Sequence, residues 1–151
     1  MIVLRPLVAT DAPQLATIHK DAFGMHCWNE TMFADSLHSP DVWGMLLENS
    51  GHPAGFALCQ YVSDDCEILT FAILPRLQRR GLGRHLLQTV YDAAKARPGS
   101  RIFLEVAADN LAARQLYANF GFQPTGTRPN YYPRPDGAVD AVLMQFNIRA
   151  S

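Results

Sequence analysis

The sequence has 151 residues, of which 48% are hydrophobic and 18% are charged, and its net charge is -1. This length is that of about one domain with one buried core, so we expect a single domain over residues 1–151. The small net charge argues against general binding to nucleic acid or to an anionic membrane surface. No apolar run approaches the roughly 18 residues that are needed to cross a bilayer.

The cysteines and the N-terminal residues predict a cytoplasmic protein. Residues 1–5 lack the basic and apolar regions of a signal peptide. The three cysteines, Cys27, Cys59 and Cys66, are odd in number and form no C-x-x-C pair, so we expect reduced, partly buried thiols. The five histidines show no ligand spacing such as H-E-x-x-H, and we therefore expect no metal site.

The chain is predicted to begin with a strand over residues 2–8, followed by two helices. Thr10 or Asp11 can cap the first helix, which is expected to end near residue 23. Its predicted inward face consists of Leu15, Ile18, Ala22 and Phe23. Asn29 is a good N-cap for a second, short helix that ends near residue 37. In that region Trp28 and Phe33 could line a substrate cleft, although buried aromatic anchors are more common.

Three strands are expected next, over residues 42–48, 54–62 and 67–74. The first two are joined by Asn, Ser and Gly, which favour a hairpin.

The second half of the chain is predicted to alternate helices and strands. The predicted helices cover residues 82–96 and 110–119, and Gly121 ends the second of them. The predicted strands cover residues 101–106, 122–128 and 139–148, with a loop over 129–138. The order is therefore β-α-α-β-β-β-α-β-α-β-β, which predicts a mixed α/β domain with one sheet of about seven strands and helices on both faces.

A glycine-containing turn joins the strand that ends at Leu74 to the helix that begins at Leu82. Gly81 and Gly83 allow close approach to a ligand, and the N–H groups at a helix start attract anions. Four arginines surround the same turn, namely Arg76, Arg79, Arg80 and Arg84. These features favour a phosphorylated ligand, and the alternative is a tight turn with a solvated basic surface.

Two common nucleotide-binding turns do not fit this segment. A dinucleotide fingerprint would need a third glycine at Leu86, and a P-loop would need a Gly-Lys-Ser/Thr triplet, which the chain lacks. The segment Gln78-Arg-Arg-Gly-Leu-Gly83 instead resembles the Gln/Arg-x-x-Gly-x-Gly turn of the GCN5-related N-acetyltransferases (GNAT). The resemblance implies the GNAT fold and acetyl-coenzyme A as co-substrate, with its pyrophosphate on the N–H groups of the turn.

Acetyl transfer to an amine requires that the ammonium lose a proton and that the leaving thiolate be held or protonated. Glu105 is the best candidate base, because it interrupts an apolar strand on the face opposite Leu104, beside Phe103. The alternative is an ordinary glutamate on the solvated face of a strand.

Tyr117 is the best candidate acid. It follows Asn110 by seven residues, almost two helical turns, so both side chains share one helix face. An extended ligand arm beside this helix could therefore meet Asn110 first and then the Tyr117 hydroxyl. The alternative is that Tyr117 packs against the sheet with its hydroxyl at the rim.

Downstream segments resemble one family more closely, the bacterial ribosomal-protein S18 alanine N-acetyltransferases (RimI). The segments that carry the resemblance are Phe103-Leu-Glu-Val106, Asn110, Leu116-Tyr117, Gly121-Phe122, Asn130-Tyr-Tyr-Pro133, Asp136-Gly137 and Asp140-Ala141, together with Trp28-Asn-Glu30 in the region of the second helix. The resemblance implies that Glu105 accepts the proton from the amine and that Tyr117 protonates the coenzyme A thiolate. Asn110 would contact the pantetheine arm.

The same resemblance implies the remaining ligand contacts and the acceptor. The backbone groups of Phe71, Ala72 and Ile73 would bind the acetyl and pantetheine end. The pyrophosphate would be held by Arg79, Arg80, Gly81, Leu82, Gly83 and Arg84. The acceptor would be a protein or peptide N-terminus, with ribosomal protein S18 as the candidate, and the protein would be a monomer or a weak dimer.

Two alternatives remain open at this stage. The acceptor could be a lysine side chain or a small-molecule amine, because the sequence does not show whether the cleft accepts an extended peptide. The chain could also be a non-catalytic acetyl-CoA-binding module, although such a module is expected to have lost the glutamate or the tyrosine, and both Glu105 and Tyr117 are present.

Overall fold

The structure is a computed structural model that describes residues 1–24 and 28–149. It contains one seven-stranded sheet with the strand order β1-β2-β3-β4-β5-β7-β6. The strands are β1 Ile2–Pro6, β2 Val42–Asn49, β3 His52–Val62, β4 Asp65–Ile73, β5 Arg101–Ala107, β6 Gln123–Tyr132 and β7 Val139–Asn147. The helices are α1 Ala12–Phe23, α2 Glu30–Leu37, α3 Leu82–Lys95 and α4 Leu111–Phe120. The predicted thiol at Cys27 lies outside the described residues.

Local signals place most of these elements where the sequence predicts them. The Asn29 side chain accepts a hydrogen bond from the Met32 N–H at 2.9 Å and so caps α2. The β2–β3 hairpin turns through Ser50 and Gly51, whose φ angles are both positive, at 53° and 83°. This two-residue turn is shorter than the predicted loop, because left-handed backbone at both positions matches the twist of the paired strands.

Three predicted details are wrong. β1 ends at Pro6, and a short 3₁₀ turn at Ala9–Asp11 follows it before α1. Phe23 is 39% exposed and does not face inward. β6 extends to Tyr132 through residues that were predicted as loop. Because β6 pairs only with β7, it is an edge strand. Pro129 has no backbone N–H, and an edge strand tolerates this because no further strand needs that donor.

The sheet separates two apolar cores. On one face, α3 and α4 contribute Leu86, Leu87, Val90 and Tyr117 to a core that contains Leu104. On the other face, α1 and α2 pack over β2, β3 and β4, in a core that contains Leu15, Phe33, Phe56 and Ala72. Residues that alternate along a strand therefore point to different helix layers.

The centre of the sheet is interrupted between β4 and β5. These two strands run parallel but pair over only three positions, ending at Ile68 opposite Leu104. At this point β4 also contains a bulge, since Leu58 pairs with Thr70 and Cys59 pairs with Ile68, which leaves Leu69 as an extra residue. A bulge bends its strand and reverses which face the following residues occupy. Beyond it, β4 and β5 enclose a gap.

Candidate active site

The turn before α3 presents unpaired backbone donors to solvent. Gly81 is in the left-handed conformation, with φ 79° and ψ 2°, and directly precedes α3. Within residues 1–24 and 28–149, none of the backbone N–H groups from Arg79 to Arg84 donates to another protein group. The first N–H groups of a helix attract anions, so this turn is suited to a phosphate or pyrophosphate, and the predicted contacts with the pyrophosphate stay a prediction.

Positive charge surrounds these donors. Arg76, Arg79, Arg80 and Arg84 are all exposed. In the part of the chain that the structure describes, none of them lies within salt-bridge distance of a carboxylate. The guanidinium carbon of Arg84 lies 5.6 Å from the centre of the Phe120 ring. These charges are available to an anionic ligand.

Glycine is needed at positions 81 and 83 for different structural reasons. Gly81 needs its positive φ, and a Cβ added there would meet no atom within 4 Å. A Cβ at Gly83 would lie 2.9 Å from Leu116 Cδ2, so Gly83 is required for the close packing of α3 against α4. The sequence predicts that both glycines serve ligand approach and does not reveal this helix contact.

The gap between β4 and β5 exposes main-chain groups of β4. Leu74 N–H donates to Ala54 O at 2.9 Å, and by alternation the backbone groups of Ala72 also face β3. Those of Phe71 and Ile73 face the gap, although the Ile73 carbonyl accepts a hydrogen bond from Gln78 Nε2 at 3.0 Å. The geometry therefore favours Phe71 and Ile73 over Ala72 as backbone contacts for a ligand.

Tyr117 lies on the α3/α4 side of the gap. Its ring packs edge-on against Phe71, with the centroids 5.9 Å apart. Burial raises the pKa of the Tyr117 hydroxyl above its ordinary value, and the neighbouring Cys59 and Tyr132 add to the rise. Within the described residues this hydroxyl has no hydrogen-bond partner. Tyr117 is thus held as a neutral phenol with a free proton to donate.

Glu105 lies on the opposite face of the sheet, as the alternation with Leu104 predicts. Its side chain is 22% exposed and forms an ion pair with Arg128 on β6. No local sequence pattern identifies Arg128, because the contact joins residues 23 positions apart through the pairing of β5, β7 and β6. The carboxylate is therefore oriented by a neighbouring cation at the edge of the gap.

Tyr132 is a candidate site residue that the sequence analysis leaves without a role. Its hydroxyl donates to the backbone carbonyl of Glu105 at 3.4 Å. Burial, with a contribution from Glu105, raises its pKa to about 12. Tyr132 also contributes to the raised pKa of the Tyr117 hydroxyl. The Asn-Tyr-Tyr-Pro segment is the sequence signal that could have found it.

Asn110 is the N-cap of α4. Its side-chain oxygen accepts a hydrogen bond from the Ala113 N–H at 3.2 Å, which leaves the amide NH₂ group available to a ligand. The preceding Asp109 forms a bidentate ion pair with Arg134 at 2.9 and 3.0 Å. This pair ties the loop between β6 and β7 to the start of α4.

Among residues 1–24 and 28–149, no three His, Cys, Asp or Glu side chains are arranged to bind a metal ion. In the same residues, no helix is long and apolar enough to cross a membrane.

Comparison with known proteins assigns the chain to a family. Residues 12–122 match the family model described as "Acetyltransferase (GNAT) family". Over 148 residues the chain is 36% identical to the [ribosomal protein bS18]-alanine N-acetyltransferase of Escherichia coli (strain K12), with 98% of this chain and 99% of the relative covered. The relative from Salmonella typhimurium (strain LT2) is 34% identical, with 94% of this chain and 95% of the relative covered.

Solved structures agree with this assignment. The crystal structure of the ribosomal-protein-S18-alanine N-acetyltransferase from Escherichia coli superposes with a TM-score of 0.92 at 35% identity, covering 100% of this chain and 96% of that one. Arabidopsis thaliana NAA60 in complex with acetyl-CoA has a TM-score of 0.85 at 20% identity, covering 99% and 100%, and supports the fold alone. The chain therefore belongs to the GNAT family and, within it, to the ribosomal-protein bS18-alanine N-acetyltransferases, which makes it an acetyl-CoA-dependent N-acetyltransferase.

Proposed function

We propose that this chain transfers the acetyl group of acetyl-CoA to the N-terminal α-amine of a protein, with the N-terminal alanine of ribosomal protein bS18 as the natural acceptor. The observation that carries the proposal is the position of Glu105 and Tyr117 on the two faces of the gap between β4 and β5. The names of the relatives support the choice of acceptor.

The residues around the gap fit acetyl-CoA. The free N–H groups from Arg79 to Arg84 and the neighbouring guanidinium groups suit its pyrophosphate. The gap-facing backbone groups of Phe71 and Ile73 suit the extended pantetheine arm, and the free amide NH₂ of Asn110 can donate to a carbonyl on it. When bound, this co-substrate supplies an activated acetyl thioester.

We further propose direct transfer with both substrates bound. Glu105 takes a proton from the α-ammonium group, so that the free amine attacks the thioester carbonyl carbon. A bond from nitrogen to carbon forms, the carbon–sulfur bond breaks, and Tyr117 donates its proton to the departing thiolate. The attacking nitrogen loses its second proton to solvent as the amide forms, and Tyr117 takes a proton back from solvent before the next turnover. Positioning of the two substrates removes much of the barrier without a covalent intermediate on the protein. In this scheme residues 1–151 work as one domain.

The alternatives concern the acceptor and the assembly. A lysine side chain or a small amine would need the same base and acid, with a cleft of different shape. The predictions of a cytoplasmic location and of a monomer or weak dimer stay predictions.

Acetyl transfer to short peptides tests the proposed acceptor. One peptide carries the N-terminal sequence of a bacterial bS18 beginning with alanine, and the control is an N-blocked peptide that contains lysine. Release of free coenzyme A thiol is measured with each. We expect release with the alanine peptide and none with the blocked one. Release with the blocked peptide alone would assign the chain to lysine acetylation.

A further inference from the structure

His19 is a buried polar side chain that the proposed chemistry does not use. It lies on α1, is 4% exposed, and is surrounded by the rings of Phe23, Trp28, Phe33 and Phe56, with centroid distances of 4.4 to 6.3 Å. Despite this apolar environment, both ring nitrogens are hydrogen-bonded, to partners on two other segments of the chain.

The partners fix the tautomer of the ring. The backbone N–H of Trp28 can only donate, and it donates to His19 Nδ1 at 3.1 Å. The ring proton of the neutral imidazole is therefore on Nε2, which lies 3.0 Å from Thr70 Oγ1 and donates to it. One side chain thus connects the residue that precedes the N-cap of α2 to the bulged part of β4.

The two connected segments lie on the side of the sheet from which an acceptor must come. Glu105 points away from the α3/α4 layer, because its neighbour Leu104 belongs to that core. Thr70 points to the α1/α2 layer, where it meets His19. An amine that reaches Glu105 therefore approaches from the face on which α1 and α2 pack. Trp28 is half-buried at the start of α2 on this face and packs on Phe33 at 5.2 Å.

We propose that His19 is a positioning residue for the acceptor, which holds the Trp28 segment at a fixed place relative to the gap through its two hydrogen bonds. The proposal rests on the proposed function, because it assumes that an amine enters beside Glu105. His19 does not touch the coenzyme turn, which lies before α3 at the other side of the sheet. Its loss should therefore weaken acceptor binding and leave acetyl-CoA binding unchanged.

Three substitutions test the two hydrogen bonds of His19 separately. His19→Leu removes both and leaves the Trp28 N–H and the Thr70 hydroxyl unpaired. Thr70→Val keeps the shape of the side chain but removes the partner of Nε2. His19→Asn places an oxygen near the position of Nδ1 and can restore the bond to Trp28. His52→Gln, at an exposed histidine of the β2–β3 hairpin, is the matched control.

Steady-state kinetics give the main readout. We expect His19→Leu to raise the KM for the alanine peptide about tenfold, the effect of losing about one net hydrogen bond, because the Trp28 segment is no longer held in place by the two bonds of His19. His19→Asn should recover part of this loss, and Thr70→Val should show an intermediate increase. The dissociation constant for acetyl-CoA should match that of the unchanged protein in every variant. Equal effects on both substrates, or none on the peptide, would overturn the proposal.

A second readout does not need catalysis. In a Trp43→Phe background, Trp28 is the sole tryptophan, and its fluorescence reports its environment. We expect His19→Leu to shift the emission to longer wavelength and to increase quenching by acrylamide, with His19→Asn closer to the unchanged protein. Unchanged emission would overturn the proposal that His19 positions Trp28, and this readout works whether or not the peptide is acetylated. A failure to acetylate any peptide would instead count against the proposed function. If His19→Leu does not fold, His19→Asn and Thr70→Val carry both measurements.

Discussion

At the scale of single residues, the site combines a buried phenol with a carboxylate that has a cationic partner. Tyr117 keeps its proton because burial raises its pKa, and this is the state that a donor to a thiolate needs. Glu105 is held by Arg128. Strand and helix phase in the sequence select Glu105 and Tyr117 as the candidate base and acid, but they do not select Arg128 and Tyr132, because strand pairing brings those two to the site.

Tyr117→Phe tests the proton donor. The ring contacts with Phe71 and Phe122 remain, and the lost hydroxyl has no partner among the described residues, so we expect unchanged thermal stability. The kcat should fall about 100-fold, the lower end of the usual range for general acid–base catalysis, with the affinity for acetyl-CoA unchanged. Tyr91→Phe on α3 is the matched control. An unchanged kcat in Tyr117→Phe would reject the assignment of the acid.

Glu105→Gln tests the base through its pH dependence. An α-amine has a pKa of about 7.7–8.0, so below that range the ammonium must lose a proton to the enzyme. We expect kcat/KM to fall most at low pH and to approach that of the unchanged protein above about pH 8. Arg128→Gln breaks the same ion pair but keeps the carboxylate. If it reproduces the Glu105→Gln profile, the ion pair and not the base explains the loss.

At the scale of elements, α3 and α4 approach closely at one glycine. Gly83→Ala would place a Cβ 2.9 Å from Leu116 Cδ2, and such overpacking costs about 1–3 kcal/mol. We expect lower stability and weaker acetyl-CoA binding, because displacement of α3 moves its first N–H groups. Both losses should be smaller when Leu116→Ala is added, since the cavity accepts the new methyl group.

A double-mutant cycle on unfolding free energy and on acetyl-CoA affinity measures this coupling. If Gly83 instead serves direct approach of the ligand, adding Leu116→Ala will restore none of the affinity, although stability recovers. The cycle therefore distinguishes a helix-packing glycine from a ligand-contact glycine.

The sequence predicts the order of the elements but not how the middle of the sheet is built. Caps, turns and periodicity are local, and Asn29, Ser50–Gly51 and Gly121 act where the sequence indicates. The insertion of β7 between β5 and β6 depends on distant pairing. The bulge at Leu69 does so as well. The family resemblance implies ligand contacts at Phe71, Ala72 and Ile73, but the gap between β4 and β5 depends on this distant pairing and could not be derived from residue patterns.

At the scale of the whole molecule, two cores lie against one sheet, and each contains part of the proposed site. Tyr117 belongs to the α3/α4 core, whereas His19 lies beside the α1/α2 core and contacts its Phe33 and Phe56. His19 and Asp11 are the buried polar side chains of the described residues. Although burial alone would raise it, the pKa of Asp11 is lowered by hydrogen bonds from Arg5, the Val8 N–H and Gln14.

The pKa shifts of His19 and Asp11 predict that the protein loses stability in two separate pH ranges as the solution is acidified. Burial lowers the pKa of His19 from 6.5 to about 4, so between these values the unfolded chain binds a proton that the folded chain excludes. The free energy of unfolding must then fall as the pH falls from 6.5 towards 4. This pKa difference corresponds to about 3 kcal/mol. The pKa of Asp11 is lowered from 3.8 in the folded protein, so its carboxylate stabilises the fold above pH 3.8. This stabilisation is lost as the pH falls below that value and Asp11 becomes protonated.

Urea unfolding at a series of pH values measures the contribution of His19. We expect the unchanged protein to lose about 3 kcal/mol more than His19→Asn between pH 7 and pH 4, because asparagine does not titrate. The variant should start from lower stability at pH 7, so the two curves converge in acid. The exposed-histidine variant His52→Gln should follow the unchanged protein throughout. Parallel curves for His19→Asn and the unchanged protein would show that His19 is not excluded from protonation, and that its two hydrogen bonds do not hold in solution.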